Sequence, residues 1–374
     1  MKITLNKEFY YQIFFSFCLI IPFFNNYELS FVSWLVALGL TFKKSYSVSF
    51  VRYVSYFIFI FLLALVVGFF YQHRLYFVIR DITYLLKPIL GLFIGYQFFS
   101  SQIKNPFKFL LLAGLAMALI HLSMVGYGIL FQGAKSVAKI REYGGYFNDY
   151  EIYAFIILLF HKKFEIGLTQ KKFRIYFIVM ALSTFFYLAR TNFIQFVILF
   201  MAMKGWLILN KKSLAVLGSL ILISVFSYTA IYMYNPKRNG DSVDEFLYKI
   251  KLIPLEAFAT KINRNDWKDF HDHYRSYENV RTIEQLSYNN SLLFGEGMGS
   301  QVDLKQKVRL GDMDLRYISI LHNGYMTVFL KTGIPGLLLL LGSILYFFKK
   351  NNYVNELDNN INLLFIGTGL FLVI

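Results

Sequence analysis

Residues 317–350 read YISILHNGYMTVFLKTGIPGLLLLLGSILYFFKK. The second half is an apolar run closed by Lys349 and Lys350, the pattern of a helix that crosses a hydrocarbon core and ends among headgroups. A chain built only to cross a bilayer has no use for His322 and Asn323 just upstream, or for Gly333, Pro335 and Gly336 in between. The stretch therefore divides. Residues near 318–332 are expected to form a short helix lying on one membrane face, with Tyr325, Val328 and Phe329 toward the membrane. Gly333, Pro335 and Gly336 are expected to turn the chain into the span, Pro335 falling in a first helical turn, where its missing N–H is tolerated. Asn323 is better suited than His322 to cap the surface helix.

The rest of the chain agrees with that reading. Of 374 residues, 57% are hydrophobic, 20% aromatic and only 16% charged, where globular domains are about a quarter charged. Apolar runs recur at about 9–24, 27–42, 53–70, 82–99, 107–131, 150–161, 173–189, 192–209, 213–234, 334–348 and 361–374. Open sheets cannot live in lipid and the short alternating segments of a barrel are absent, so the expected class is an all-α polytopic integral membrane protein. About eleven transmembrane helices are expected, twelve if the chain continues beyond Ile374. The basic start MKITLNKEFYYQIFFSFCLIIPFF lacks a small-residue cleavage site and reads as a retained first helix. The single cysteine, Cys18, excludes an internal disulfide framework and a thiolate metal site.

With the N-terminus in the cytoplasm, the inner connections hold seventeen Lys and Arg, including Lys43, Lys44, Lys162, Lys163, Lys171, Lys172, Lys211 and Lys212. The short outer connections hold six: Arg74, Arg80, Lys135, Lys139, Arg141 and Arg190. That asymmetry is what the positive-inside rule requires. Residues 235–317 hold 13 basic and 13 acidic side chains, so the net charge of +16 lies near the membrane. Anionic lipid accounts for it, and nucleic acid is not an expected partner.

Three parts follow: an N-terminal bundle of about nine helices at 1–234, a large outer loop at 235–333, and C-terminal helices at 334–374. About eighty residues is too long for a bare connection, and the aromatic and aliphatic content of the loop argues for order. Helical periodicity through RSYENVRTIEQLSYN and VDEFLYKIKLIPLEAFATKI predicts a small helical cap.

The topology directs four segments to the outer face. They carry Arg141, Arg190, the pair Arg275 and Arg281, and His322. Guanidinium forks match phosphate oxygens and stay charged, and imidazole titrates near neutrality, as a general base must. Each residue also has an ordinary role open to it. Arg190 can snorkel to headgroups, and Arg141, Arg275 and Arg281 can be solvated or paired with Glu142, Glu278 or Glu284. The glycines of FGEGMGS, Gly295, Gly297 and Gly299, shape a turn; their G-x-G-x-G spacing is not a dinucleotide fingerprint. DFHDHYR, with His271 and His273, lacks the further ligands a metal site needs. Lys87 and His121 lie within apolar runs and are functional candidates without an assigned role.

Taken together, YRSYENVRTIEQL, LLFGEGMGS and LHNGYMTVFLKTGIPG, with the upstream YLARTNF and REYGGYFNDYEIYAF, resemble the O-antigen polymerase and O-antigen ligase superfamily of bacterial envelope glycosyltransferases. Ala189 stands where that family usually has Ser, and Lys331 where an acidic residue is frequent. The resemblance implies a substrate: a glycan carried on polyprenyl (undecaprenyl) pyrophosphate at the periplasmic side of the inner membrane. It implies His322 as base with Arg275, and Arg190, Arg281, Arg141 and Asn323 at the pyrophosphate and glycan. Gly295, Gly297, Gly299, Gly333 and Gly336 would shape the loop. No metal and no cofactor are implied, since the donor is already activated. The partners are the lipid-linked donor and acceptor, the bilayer and a chain-length regulator. Polymerase is the leading expectation and ligase its nearest rival. A flippase is disfavoured because no internal repeat is evident and the polar groups gather at one face.

Overall fold

The structure is a computed structural model. It describes the chain except residues 1–6, 25, 101–102, 135–136, 145–148, 209–210, 238–242, 245–246, 249, 253–269, 271–272, 311–312, 350–354 and 374. The side chains of some further residues, Arg190 among them, are also outside the described set.

Helices occupy every apolar run of the sequence: α1 (Lys7–Ile20), α2 (Tyr27–Thr41), α3 (Val48–Gly68), α4 (Leu75–Phe99), α5 (Pro106–Phe131), α7 (Asp149–Leu159), α8 (Gln170–Phe186), α9 (Arg190–Met203) and α10 (Lys211–Tyr234), with a short α6 (Val137–Tyr143). After α10 come α11 (Tyr274–Tyr288), a hairpin of β1 (Val302–Leu310) and β2 (Met313–Ile318), α12 (Gly324–Leu345) and α13 (Glu356–Val373). By length and composition, Val48–Gly68, Pro106–Phe131 and Gly324–Phe348 can cross a membrane. Shorter apolar helices include Tyr150–Leu159 and Thr191–Met203. Large apolar side chains stand exposed along these helices, Leu62, Val66, Leu130 and Phe131 among them. Such contiguous apolar surface is what lipid covers.

The chain divides into two units. The first comprises 1–54, 87–208 and 344–374. Its core is built around α7: Ile152, Ala154, Ile156 and Leu158 are buried with Leu111 and Ala118 of α5, Met180 of α8, Leu199 and Met203 of α9 and Leu363 of α13. A helix that is apolar all round belongs inside a bundle, which accounts for the shortness of this run. Small residues let the helices close up. A Cβ on Gly114 would stand 2.2 Å from the Ala154 methyl.

The second unit comprises 55–86 and 209–343. Here α11 packs on the hairpin. Tyr274, Tyr277 and Leu286 are buried with Val302, Leu304, Val308, Ile318 and Leu321, joined by Leu330 of α12. The hairpin corrects the all-α expectation of a wholly helical cap. Its strands pair antiparallel, Val302 with Ile318 and Leu310 with Met313, around an irregularity between Asp303 and Val308. The sequence signal was the alternation of Val302, Leu304, Val308 and Leu310 before Gly311-Asp312, blurred by that irregularity.

The break between surface helix and span falls where the glycine and proline place it. Helix α12 is two helices joined at Gly333, whose φ is 61° and ψ −153°. The surface helix begins at Gly324 rather than near 318. Phe329, expected toward the membrane, packs against the loop core. The Lys331 carbonyl would normally accept from residue 335, but Pro335 has no N–H. The glycine turn supplies the donors: Glu296 N–H reaches the Leu330 carbonyl at 2.8 Å and Gly297 N–H reaches the Lys331 carbonyl at 3.1 Å. In return, Ile334 N–H reaches the Leu293 carbonyl at 3.1 Å.

Candidate active site

Helix α11 presents Tyr274, Tyr277, Glu278 and Thr282 on its buried face. A carboxylate on that face needs partners. Glu278, 1% exposed, receives the His322 N–H at 2.9 Å on Oε2 and His322 Nδ1 at 2.9 Å on Oε1. A carboxylate acceptor places the proton on Nδ1, so in the neutral ring Nε2 carries the lone pair. The His322 side chain is 47% exposed. Its ring meets the edge of Tyr274, centroids 5.5 Å apart and planes at 88°. Burial, and then the charge of Glu278, hold the Tyr274 phenol well above its ordinary pKa, so it remains a neutral wall.

The segment carrying His322 is fixed on both sides. Leu321 N–H reaches Thr327 Oγ1 at 3.0 Å. Asn323 Oδ1 accepts from Tyr325 N–H at 3.0 Å and Met326 N–H at 3.4 Å, the N-cap expected of it. The imidazole is thereby left to Glu278.

The glycine turn sets the floor of the same unit. Gly297 has φ +75°, and a Cβ there would lie 2.2 Å from the backbone of Gly68. Gly295 and Gly299 also have positive φ and tight surroundings, and a Cβ on Gly336 would strike Thr332. Met298 N–H reaches the Ala64 carbonyl at 2.9 Å, and Gly299 N–H reaches Asp81 Oδ2 at 2.7 Å. Asp81 also pairs with the buried Lys331, Nζ to Oδ2 2.5 Å. The position where Lys331 replaces a frequent acid thus meets an acid from α4.

The arginines differ in what they already hold. Arg275 is exposed, one turn ahead of Glu278 on α11. Arg281 is committed: it pairs with Glu284, and its Nε donates to the Asp303 carbonyl at 3.3 Å. Glu284, not Glu278, is its acid. Arg141 is exposed in the last turn of α6 and Arg190 opens α9, both in the first unit. The Arg190 side chain, and His271 with Asp272, lie outside the described residues.

The first unit has a polar cluster of its own. His121 is fully buried, Nδ1 2.7 Å from Ser183 Oγ. Its ring stacks on Tyr187 at 3.7 Å and 3°. Tyr187 donates to Glu151 at 3.0 Å. Lys87 lies within electrostatic reach of Glu28.

Sequence reasoning missed Glu278 as the partner of His322. The available signal was its position: a carboxylate in step with Tyr274 and Thr282 on the buried stripe of α11.

The helices and their exposed apolar surface define the class, a helical membrane protein. Residues 175–341 match the family model described as O-antigen ligase, which supports the O-antigen polymerase and ligase superfamily over that stretch. Members of this family are glycosyltransferase-like enzymes. No curated protein and no solved structure matches the chain. The match takes in α8 to α12 apart from the first residues of α8 and the last of α12, and so includes His322, Glu278, the glycine turn and Arg275.

Proposed function

We propose that the protein is a surface-polysaccharide polymerase. It transfers a growing glycan from polyprenyl pyrophosphate to the next lipid-linked repeat unit, at the periplasmic face of a bacterial inner membrane. The observation that carries the reading is the His322–Glu278 pair, lying inside the O-antigen ligase match with Nε2 on an open side. The proposal keeps eleven spans, a cytoplasmic N-terminus, and the division into bundle, outer loop and C-terminal helices.

In the reaction, a hydroxyl oxygen of the acceptor sugar forms a bond to the donor's anomeric carbon. The bond from that carbon to pyrophosphate breaks, and its electron pair leaves on the phosphate oxygen. His322 Nε2 takes the hydroxyl proton, and Glu278 stabilises the imidazolium through Nδ1–H. Charge grows on pyrophosphate, where fixed guanidiniums act most strongly. Arg275 and Arg190 take that role. Arg141 assists, and Arg281, held by Glu284, positions the hairpin and assists from behind.

The family model's description favours a second reading, a ligase that moves the finished chain to the lipid A core or another acceptor. A deletion strain separates the two. Loss of a polymerase leaves the core capped with one repeat unit, whereas loss of a ligase leaves it bare. His322→Ala should fail to restore long chains, with activity down about a hundredfold or more and normal abundance in the membrane. Long chains restored by that variant would remove His322 from the mechanism.

A further inference from the structure

We propose that Arg80 is a ligand for a phosphate group carried on a lipid, at a site beside the glycine turn and distinct from His322. The inference rests on the outer-face topology proposed above. Arg80 lies near the start of α4, and its Nε and Nη2 are buried without a hydrogen-bond partner among the described residues. Those two nitrogens form the edge of a guanidinium that grips paired oxygens. Arg316, in the same unit, uses the same edge on the Asp303 carboxylate, at 2.9 and 3.0 Å. In Arg80 that edge is unclaimed.

The nearby charges do not satisfy it. Asp81 Oδ2 is taken by Lys331 and by the Gly299 N–H, while Oδ1 has no hydrogen-bond partner among the described residues and is not engaged by Arg80. Glu296 receives Gln285, Asn289 and Ser291. Lys331 lies within electrostatic reach of Arg80, but its charge is offset by the paired Asp81. The Phe77 ring, 5.1 Å from the guanidinium carbon, supports its plane without using an N–H. A buried, charged donor pair left unmet is costly, and phosphate oxygens fit its spacing.

The surroundings say what carries the phosphate. Leu75, Tyr76 and Ile79, on the same turns of α4, stand exposed, and the apolar run begins just below. A ligand anchored there is polar at one end and apolar at the other. Lys331 lies seven residues into the surface helix that starts at Gly324, just after His322, roughly 10 Å along its axis, so the site is separate from the reacting centre. A polymerase handles two lipid pyrophosphates at once, and the second, the acceptor's, needs such a clamp.

Native mass spectrometry of the purified full chain in detergent tests this, with undecaprenyl pyrophosphate and phosphatidylglycerol as parallel probes. Arg80→Gln should lose one bound copy of undecaprenyl pyrophosphate at an unchanged melting temperature, and Arg80→Lys should lose it in part. Loss of bound phosphatidylglycerol instead would keep the phosphate site and make a phospholipid headgroup its occupant. Retention of both lipids by Arg80→Gln would overturn the proposal. Failure of the wild-type chain to bind undecaprenyl pyrophosphate would sink the proposed function, while the phosphatidylglycerol arm would still read the Arg80 site.

Discussion

His322 and His121 are held in the same way, yet the proposed function gives them opposite roles. Each ring bonds through Nδ1, 2.9 Å to Glu278 in one case and 2.7 Å to Ser183 in the other. The difference is at Nε2. In His322 the side chain is 47% exposed, so that nitrogen can meet a substrate. In His121 it is buried among helices and faces no partner among the described residues. The partners differ as well. A carboxylate stabilises a ring that gains a proton, whereas a hydroxyl and a stacked tyrosine only orient a ring that keeps its charge state. In the proposed function, access and the charge of the second residue, more than the histidine itself, separate a base from a packing element.

Substitutions can break this contrast. Beyond His322→Ala, the largest effect is expected from Glu278→Gln. The amide oxygen can still accept from Nδ1, but the charge that stabilises the imidazolium is gone, and chain growth should fall about tenfold or more with normal abundance. Unchanged chain length would reduce Glu278 to a structural anchor. The counterpart in the first unit is His121→Phe, which keeps the stack on Tyr187 and removes the imidazole partner of the buried Ser183 hydroxyl. Thermal stability in detergent should drop by about 1 to 3 kcal/mol, with activity per folded molecule retained. A loss of activity at unchanged stability would instead draw His121 into the chemistry.

The smallest effect belongs to the hairpin. The Arg316 hydrogen bond, helped by Lys305, holds the Asp303 carboxyl below the ordinary carboxylate range in the folded state. The folded protein therefore binds that proton less readily than the unfolded chain. Its contribution is present at neutral pH and is lost as pH falls below the ordinary carboxylate pKa. Asp303→Asn should lower the melting temperature by on the order of a degree or two at neutral pH, since such exposed pairs are weak. The difference from wild type should vanish in acid. A constant difference at all pH values would assign the effect to packing.

Much of the fold is legible in the sequence because lipid imposes long apolar runs, and each run became a helix. Gly333 and Pro335 are legible for a similar reason, since few residues suit their places. Asn323 as cap follows from its side chain alone. The pairing of Glu278 with His322 was not legible, because the two are 44 residues apart and no local pattern joins them. The Asp81–Lys331 pair links segments still farther apart. The hairpin was obscured by its own irregularity, which puts Lys305, Gln306 and Lys307 where alternation should continue.

The exchange between the glycine turn and the broken helix bears on the order of assembly. As the chain is made, residues 291–300 emerge before residues 330–334, so the N–H groups of Glu296 and Gly297 exist before the carbonyls that receive them. The turn has no finished conformation until the next apolar segment has been inserted with Gly333 at its boundary. Maturation of the loop that carries His322 is thus timed by insertion of the membrane helix behind it. A chain stalled between the two would leave that loop unfinished.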